Sequence, residues 1–281
     1  MEPAQKRSRG RPRAFNPDPD ATTIQSLDRA LVILKVLATG EGMSLTELAE
    51  AAGQAPATVY RVLSTFATHG IVEFQPAQQL WNVGPEAFRI GSAFLMRTNL
   101  VEQARSEMRA LMAESGETAN LAIADGAEVV FLSQVETQEP IRAFFRLGAR
   151  GPIHASGIGK ALLAYASPER IERLLRTAPL EAFTPQTLVD AVRLRDELAV
   201  IRARGWAMDD EERTSGMRCI AAPIFNEFRE AIAGVSISGP TLRVARDRGP
   251  DYGAQVRAAA DRITRAIGGV APPQGSSRAA E

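Results

Sequence analysis

Apolar positions recur at helical spacing at the N-terminal end of the chain and gather into short runs further along. Leu27, Leu31, Leu34 and Ala38 fall at i, i+4, i+7 and i+11, which predicts an amphipathic helix with that face inward, closed by Gly40 and Gly42. Ser44 stands three residues before Glu47 at the head of "LTELAEAA", a capping box that predicts a short second helix. Gly53 supplies a turn. A third helix from Pro56 to His69 then places Val59, Val62, Leu63 and Phe66 on one face and Thr58, Tyr60, Arg61, Ser64, Thr65 and Thr68 on the other. "IVEF" and "LWNVG", separated by a turn around Gln75 to Gln79, read as a hairpin. Two short helices joined through a glycine turn, with small Ala49 where they cross, and a hairpin behind them predict a winged helix-turn-helix whose second helix enters the major groove.

From Pro85, "PEAFRIGSAFLMRTNLVEQARSEMRALMAES" keeps helical spacing almost unbroken, with Phe88, Gly91, Phe94 and Leu95 on one side. After a DNA-binding module such a helix suits pairing with its twin, since symmetric operators require a dimer. Strands are expected at "ETANLAIAD", "EVVFLSQVE" and "IRAFF", a helix from Gly157 through "GKALLAYA", and another across "LVDAVRLRDELAVIRARG". Strands "MRCIAAPIF" and "AIAGVSISG" follow, and a last helix carries Val256, Ala260, Ile263 and Ile267. The expected organisation is an arm at 1–21, a DNA-binding domain at 22–84, a linker helix at 85–100, a second domain at 101–270 and a tail at 271–281 too poor in apolar residues to fold.

Charge alters the picture at one place. The chain carries 33 basic and 33 acidic residues, yet Lys6, Arg7, Arg9, Arg11 and Arg13 stand against Glu2 alone in the first 13. The segment from Thr22 to Gly84 is poor in cations, with Arg29, Lys35 and Arg61 against Asp28, Glu41, Glu47, Glu50 and Glu73. The arm is therefore expected to supply phosphate contacts, and Arg9-Gly10-Arg11-Pro12 matches the core of an AT-hook, an extended backbone with flanking arginines in the A·T minor groove. One cysteine, Cys219, excludes an intrachain disulfide, and there is neither a long apolar run nor an apolar segment after the basic start. A cytoplasmic protein without membrane association is the expectation.

Candidate chemistry in the second domain is sparse. "HASGIGKALL" lacks the glycine and the hydroxyl that a phosphate loop needs, at His154 and Ala161. His154, Ser156 and Asp209 or Asp210 form the weak outline of a hydrolase without a nucleophile elbow, and His69, His154 and Cys219 are too scattered for zinc. A binding pocket is more economical: Gly157, Ile158 and Gly159 at a helix start offer backbone N–H groups to a small carboxylate, and Ser236 and Ser238 share one face of a strand.

The blocks "SLDRALVILKVLA", "SLTELAEAAGQAPATVYRVLSTFATHGIVEF", "LWNVGPEAFRIGSAFL", "HASGIGKALLA", "GWAMDDEERTSGMRCIAAPIFN" and "AIAGVSISGP" resemble, in this order, the IclR family of bacterial transcriptional regulators. The resemblance implies an α+β chain: a winged helix-turn-helix, a linker helix and a C-terminal α/β effector-binding domain on a mainly antiparallel, GAF/PAS-like sheet. It also implies no catalysis and no cofactor, a homodimer or dimer of dimers on double-stranded DNA, and effector contacts at the backbones of Gly157 and Ile158 and the side chains of Asp209, Cys219, Ser236 and Ser238. Asp209 and Cys219 enter through the resemblance alone. "RGRPRAFN", "GQAPATVYRVL", "VETQEPIRAFFRLG" and "DDEERTSGMRCIAAPIFN" further resemble the subgroup that governs the β-hydroxyaspartate cycle of glyoxylate assimilation, which implies glyoxylate as effector, with pyruvate and glycolate as alternatives. The DNA contacts expected are Arg9, Arg11 and Arg13 in the arm and Thr58, Tyr60, Arg61 and Ser64 on the third helix. Ala55 stands where a Ser or Thr cap is usual, so Pro56 opens that helix.

Overall fold

The computed structural model describes residues 23–96 and 100–273. Arg9, Arg11, Arg13 and the rest of the arm lie outside the described residues, as do residues 97–99 and 274–281 and the side chains of Phe94, Leu95 and Met96. The chain forms two compact units that divide between Phe94 and Leu95.

In the first unit α1 (Gln25–Leu37), α2 (Leu45–Ala51) and α3 (Pro56–Thr68) precede the antiparallel hairpin β1 (Val72–Gln75) and β2 (Leu80–Val83), and α4 (Pro85–Met96) follows. The capping box is formed: the Ser44 hydroxyl accepts the Glu47 amide at 3.3 Å, and the Glu47 carboxylate accepts the Ser44 amide at 2.9 Å. Gly53 takes the left-handed conformation, φ +61°, and Gln54 donates to the Ala49 carbonyl, which turns the chain into α3. Ile33, Leu37, Leu48, Ala49, Val59, Leu63, Val72 and Trp81 close the core.

The face expected for α1 is corrected. Ile33 and Leu37 are buried, with Ala30 and Leu34 half-buried beside them, whereas Leu27 and Leu31 are 53% and 44% exposed. This helix is apolar around most of its girth, so its spacing fits two stripes, and packing against α2 and α3 selects the one through Ile33.

The second unit contains α5 (Leu100–Ser115). Its sheet comprises β3 (Thr118–Asp125), β4 (Glu128–Val135), β5 (Arg150–Pro152), β6 (Ala207–Asp210), β7 (Met217–Phe225) and β8 (Ala231–Pro240). The order is β5-β4-β3-β8-β7-β6, and every pairing is antiparallel. The expected strand at "IRAFF" is not one. The edge of β4 is taken by the segment 148–152, through Gly148 N–H to Phe131 O and Phe131 N–H to Ala149 O. Residues 141–145 contribute side chains instead, with Phe145 stacked on Phe131 at 4.2 Å.

Helices α5 and α9 (Gly249–Ala266) cover one face of the sheet, over Ala119, Leu121, Ile220, Val235 and Ile237. The other face carries α6 (Gly157–Leu163), with α7 (Pro168–Thr177) and α8 (Ala191–Arg204) behind it. The α7 helix adds to the expected elements; Ser167-Pro168 is a cap followed by a first-turn proline, and Ser167 accepts the Arg170 amide.

Ser44→Ala removes the hydroxyl that holds the head of α2 and should cost the first unit about 1 kcal/mol. Denaturant unfolding of the two proteins measures this; equal midpoints would contradict the role given to the cap.

Candidate ligand site and nucleic-acid interface

In an antiparallel sheet, directly opposed residues project to the same face. The registers align Asp209 with Cys219, Cys219 with Ser238, and Ser238 with Thr118, one row across four strands. The adjoining row on that face runs Ala207, Ala221, Ser236, Asn120 and Gln134. Polar groups thus collect on the α6 side of the sheet, where apolar packing would otherwise be expected.

The start of α6 closes this region. A Cβ on Gly157 would stand 2.9 Å from the Cys219 sulfur and 3.2 Å from its carbonyl oxygen, so the helix backbone lies directly on β7. Ile158 packs over β8 at Gly234, where any side chain would strike its Cγ2. The Gly157 N–H and the hydroxyls of Ser238 and Ser236 all favour the charged form of the Cys219 thiol, but burial and the neighbouring Asp209 outweigh them and push its pKa up to about 11. Cys219 is therefore a neutral thiol near pH 7. It retains some exposed surface.

Three donor groups consequently surround one point. Ser238 Oγ accepts from Asn120 Nδ2 at 3.2 Å, and Asn120 Oδ1 accepts from Gln134 Nε2 at 2.9 Å, which leaves the Ser238 hydrogen to be donated elsewhere. Ser236 Oγ is wholly buried beside the Cys219 thiol, without a hydrogen-bond partner of good geometry among the described residues. An unpartnered buried hydroxyl costs about 1–3 kcal/mol. Its position beside other donors suits this polar row to a small anionic acceptor.

Asp209 stands at the far end of the row. Its carboxylate accepts the Glu212 amide at 2.7 Å and the Arg213 amide, yet burial and the Glu212 charge raise its pKa from 3.8 to about 7 despite nearby Lys160. Lys160, 1% exposed, pairs with Glu212 and donates to the Met208 carbonyl at 2.6 Å. This ion pair ties α6 to the turn after β6. Burial likewise raises the Glu212 pKa, against the lowering by Lys160.

All six expected effector residues thus lie in the second unit around the start of α6 and the β6-β7-β8 face. One expectation at that helix start is corrected: the Gly159 N–H is not free, since Ser156 Oγ caps it at 3.3 Å. The hydrolase outline does not assemble, because Ser156 is that cap and His154 Nε2 is bound to the Glu181 carbonyl at 3.0 Å. Sequence reasoning missed Asn120, Gln134, Lys160 and Glu212. An asparagine within the apolar run "ETANLAIAD" and a lysine within "GIGKALL" are the signals that point to two of them.

On the first unit, Tyr60 and Arg61 are exposed on α3, while Thr58 and Ser64 are half-buried. Tyr60 lies edge-on to Trp81 of the hairpin at 6.5 Å, which holds the outer face of α3 to the wing. Among the described residues, no helix is long and apolar enough to cross a membrane.

A winged helix-turn-helix in one unit and, in the other, a row of buried polar side chains under the start of a helix define a transcriptional regulator with a separate effector unit. Two family models match: the IclR helix-turn-helix domain over residues 26–76 and the C-terminal part of the bacterial transcriptional regulator IclR over residues 92–265. The chain belongs to the IclR family. It is 55% identical over 247 residues to the HTH-type transcriptional regulator BhcR of Paracoccus denitrificans, covering 87% of this chain and 88% of that one. It is 42% identical to the transcriptional repressor IclR of Escherichia coli, over 93% of this chain and 97% of that one. Among solved structures, an IclR homologue from Microbacterium hydrocarbonoxydans complexed with 4-hydroxybenzoate matches with a TM-score of 0.78 at 26% identity, covering 86% of this chain and 98% of that one. The relatives are named as regulators and repressors, not enzymes.

Asp209→Asn tests the electrostatics of the polar row. Because the folded pKa of about 7 lies above the ordinary 3.8, folding takes up a proton at Asp209. The resulting penalty is absent below about pH 4 and complete above about pH 7. Relative to the Asn variant, the wild type should lose stability in denaturant unfolding as pH rises through that window; a pH-independent difference would contradict the buried carboxyl.

Proposed function

We propose that this regulator senses glyoxylate and controls genes of glyoxylate assimilation through the β-hydroxyaspartate cycle. The observation that carries the reading is the buried Ser236 hydroxyl, which has no partner of good geometry among the described residues beyond its contact with the Cys219 thiol, set beside the Ser238 hydroxyl and the Gly157 amide. The glyoxylate carboxylate would lie on the Gly157 and Ile158 amides and the two serine hydroxyls, with its aldehyde or hydrate towards Asp209 and Cys219. Asp209, with a pKa near 7, is protonated in a large fraction of molecules and can donate to a carbonyl oxygen. The thiol, neutral at that pH, packs against the ligand rather than attacking it. Support for the pathway comes from the 55% identity to BhcR and from the family blocks in the chain.

On this reading the protein is a cytoplasmic homodimer, paired into a dimer of dimers, bound to a symmetric double-stranded operator. The apolar surface that the first unit leaves exposed supports pairing there: Ile24, Leu27, Leu31 and Val32 on and just before α1, with Phe88 and Ile90 on α4. Tyr60, Arg61, Thr58 and Ser64 meet bases or phosphates in the major groove. Arg9, Arg11 and Arg13 supply minor-groove and phosphate contacts that the cation-poor folded segment lacks.

Replacing Ser236 and Ser238 together by alanine should weaken glyoxylate binding about ten-fold or more while leaving operator affinity intact. Calorimetry giving wild-type glyoxylate affinity in the double variant would remove the site assignment. Deleting residues 1–13 should weaken operator binding and flatten its dependence on salt, by about 0.9 in log-log slope for each phosphate that the arm neutralises. An unchanged slope would leave the arm without a role on DNA.

A further inference from the structure

The second unit holds a cavity that shares none of those six residues. It has a volume of about 250 Å³ and is walled by His154, Leu174, Leu180, Glu181, Phe183 and Arg213, with the β4-β5 edge at Glu128 and Arg150 completing its rim. That volume suits a small metabolite rather than a drug-sized ligand.

Its charges divide cleanly into compensated and uncompensated groups. Arg150 is bound to Asp125 and Glu128 at 2.6 Å each, so those groups satisfy one another. The Arg213 guanidinium rests on the Phe183 ring, 4.1 Å from its centroid, and makes no ion pair with any described residue. The Glu181 carboxylate likewise lacks an ion-pair partner among the described residues, although it is close enough to His154 to act on its charge. His154 is 4% exposed. A carbonyl oxygen only accepts, so Nε2 must carry the hydrogen it shares with Glu181 O, and in the neutral ring Nδ1 is then an acceptor. Nδ1 has no partner among the described residues. The His154 ring lies 6.0 Å from the Phe183 centroid, and the Arg213 charge acts on it, so one small molecule can reach both ends. Leu174 and Leu180 provide the apolar wall.

One free cation, one free carboxylate, one nitrogen acceptor and an apolar wall match a zwitterion with an apolar tail. We propose that this cavity is a second ligand site, for a free α-amino acid with a short apolar side chain. Its carboxylate pairs with Arg213, its ammonium donates to His154 Nδ1 and the Glu181 carboxylate, and its side chain lies against Leu174 and Leu180. A simple carboxylic acid would leave Glu181 unpaired and facing it, and a simple amine would leave Arg213 unpaired.

The test is calorimetry on the full-length protein with L-leucine, 4-methylpentanoate and 3-methylbutylamine, each with and without saturating glyoxylate. L-Leucine should bind once per chain, in glyoxylate as well as without it, and each of the two truncated probes should bind about ten-fold more weakly or worse. Arg213→Gln and Glu181→Gln, both at exposed positions, should each weaken leucine by a similar factor. Absence of leucine binding at millimolar concentration would overturn the proposal. So would equal affinity for acid or amine alone, unaltered binding in both variants, or displacement of leucine by glyoxylate. Leucine binding is read whether or not glyoxylate binds, so this proposal and the glyoxylate reading fail separately.

Discussion

The close approach of α6 to the sheet is the constraint on which the effector unit depends. A Cβ at Gly157 would press on Cys219 of β7, and one at Gly159 would stand 2.0 Å from the carbonyl oxygen of Ile153, in the segment that leads into the helix. At Gly157 backbone therefore meets β7 with no side chain between, while Ile158 packs on β8 at Gly234. The separation also bounds the region beside the polar row. It is bounded by a helix start, two serine hydroxyls and a thiol, none of which can withdraw without moving a packed element.

The second determinant is charge held out of water. Lys160 and Glu212 pair between α6 and the turn after β6, and removal of one partner from such a buried pair costs about 3–5 kcal/mol. The pair fixes the turn whose amides hold Asp209, so the geometry at one end of the ligand row rests on an ion pair outside it. At the other end, Gln134 and Asn120 orient Ser238 through amide hydrogen bonds. A bound effector would disturb groups already linked to β3, β4, β6 and α6, which is a physical route from a small ligand to the shape of the whole unit.

How far the sequence discloses this depends on the range of each interaction. The capping box at Ser44 and Glu47, the turn at Gly53 and the hairpin around Trp81 are local, and the structure has them where the residues place them. The pairing of Ser236 with Ser238 on one face follows from strand periodicity alone. Asp209 and Cys219 are not legible that way, because their meeting requires the register of β6 on β7, a tertiary fact; only the family blocks point to them. The inward face of α1 eludes its spacing for a related reason, since two apolar stripes compete and tertiary packing chooses. "IRAFF" has strand composition, but the edge of β4 is taken by the segment 148–152, where β5 forms. Lys160 has the look of a solvated helix residue until Glu212, distant in sequence, is placed against it.

Operator binding measured by fluorescence anisotropy, on DNA from upstream of the protein's own gene cluster, tests the central claim most directly when titrated in parallel with glyoxylate, pyruvate and glycolate. Glyoxylate sensing requires tight binding to that fragment and a shift of the curve by glyoxylate at lower concentration than by either of the other acids. Tight DNA binding that no small acid alters would contradict it, and the polar row at Ser236 and Ser238 would then need a different occupant.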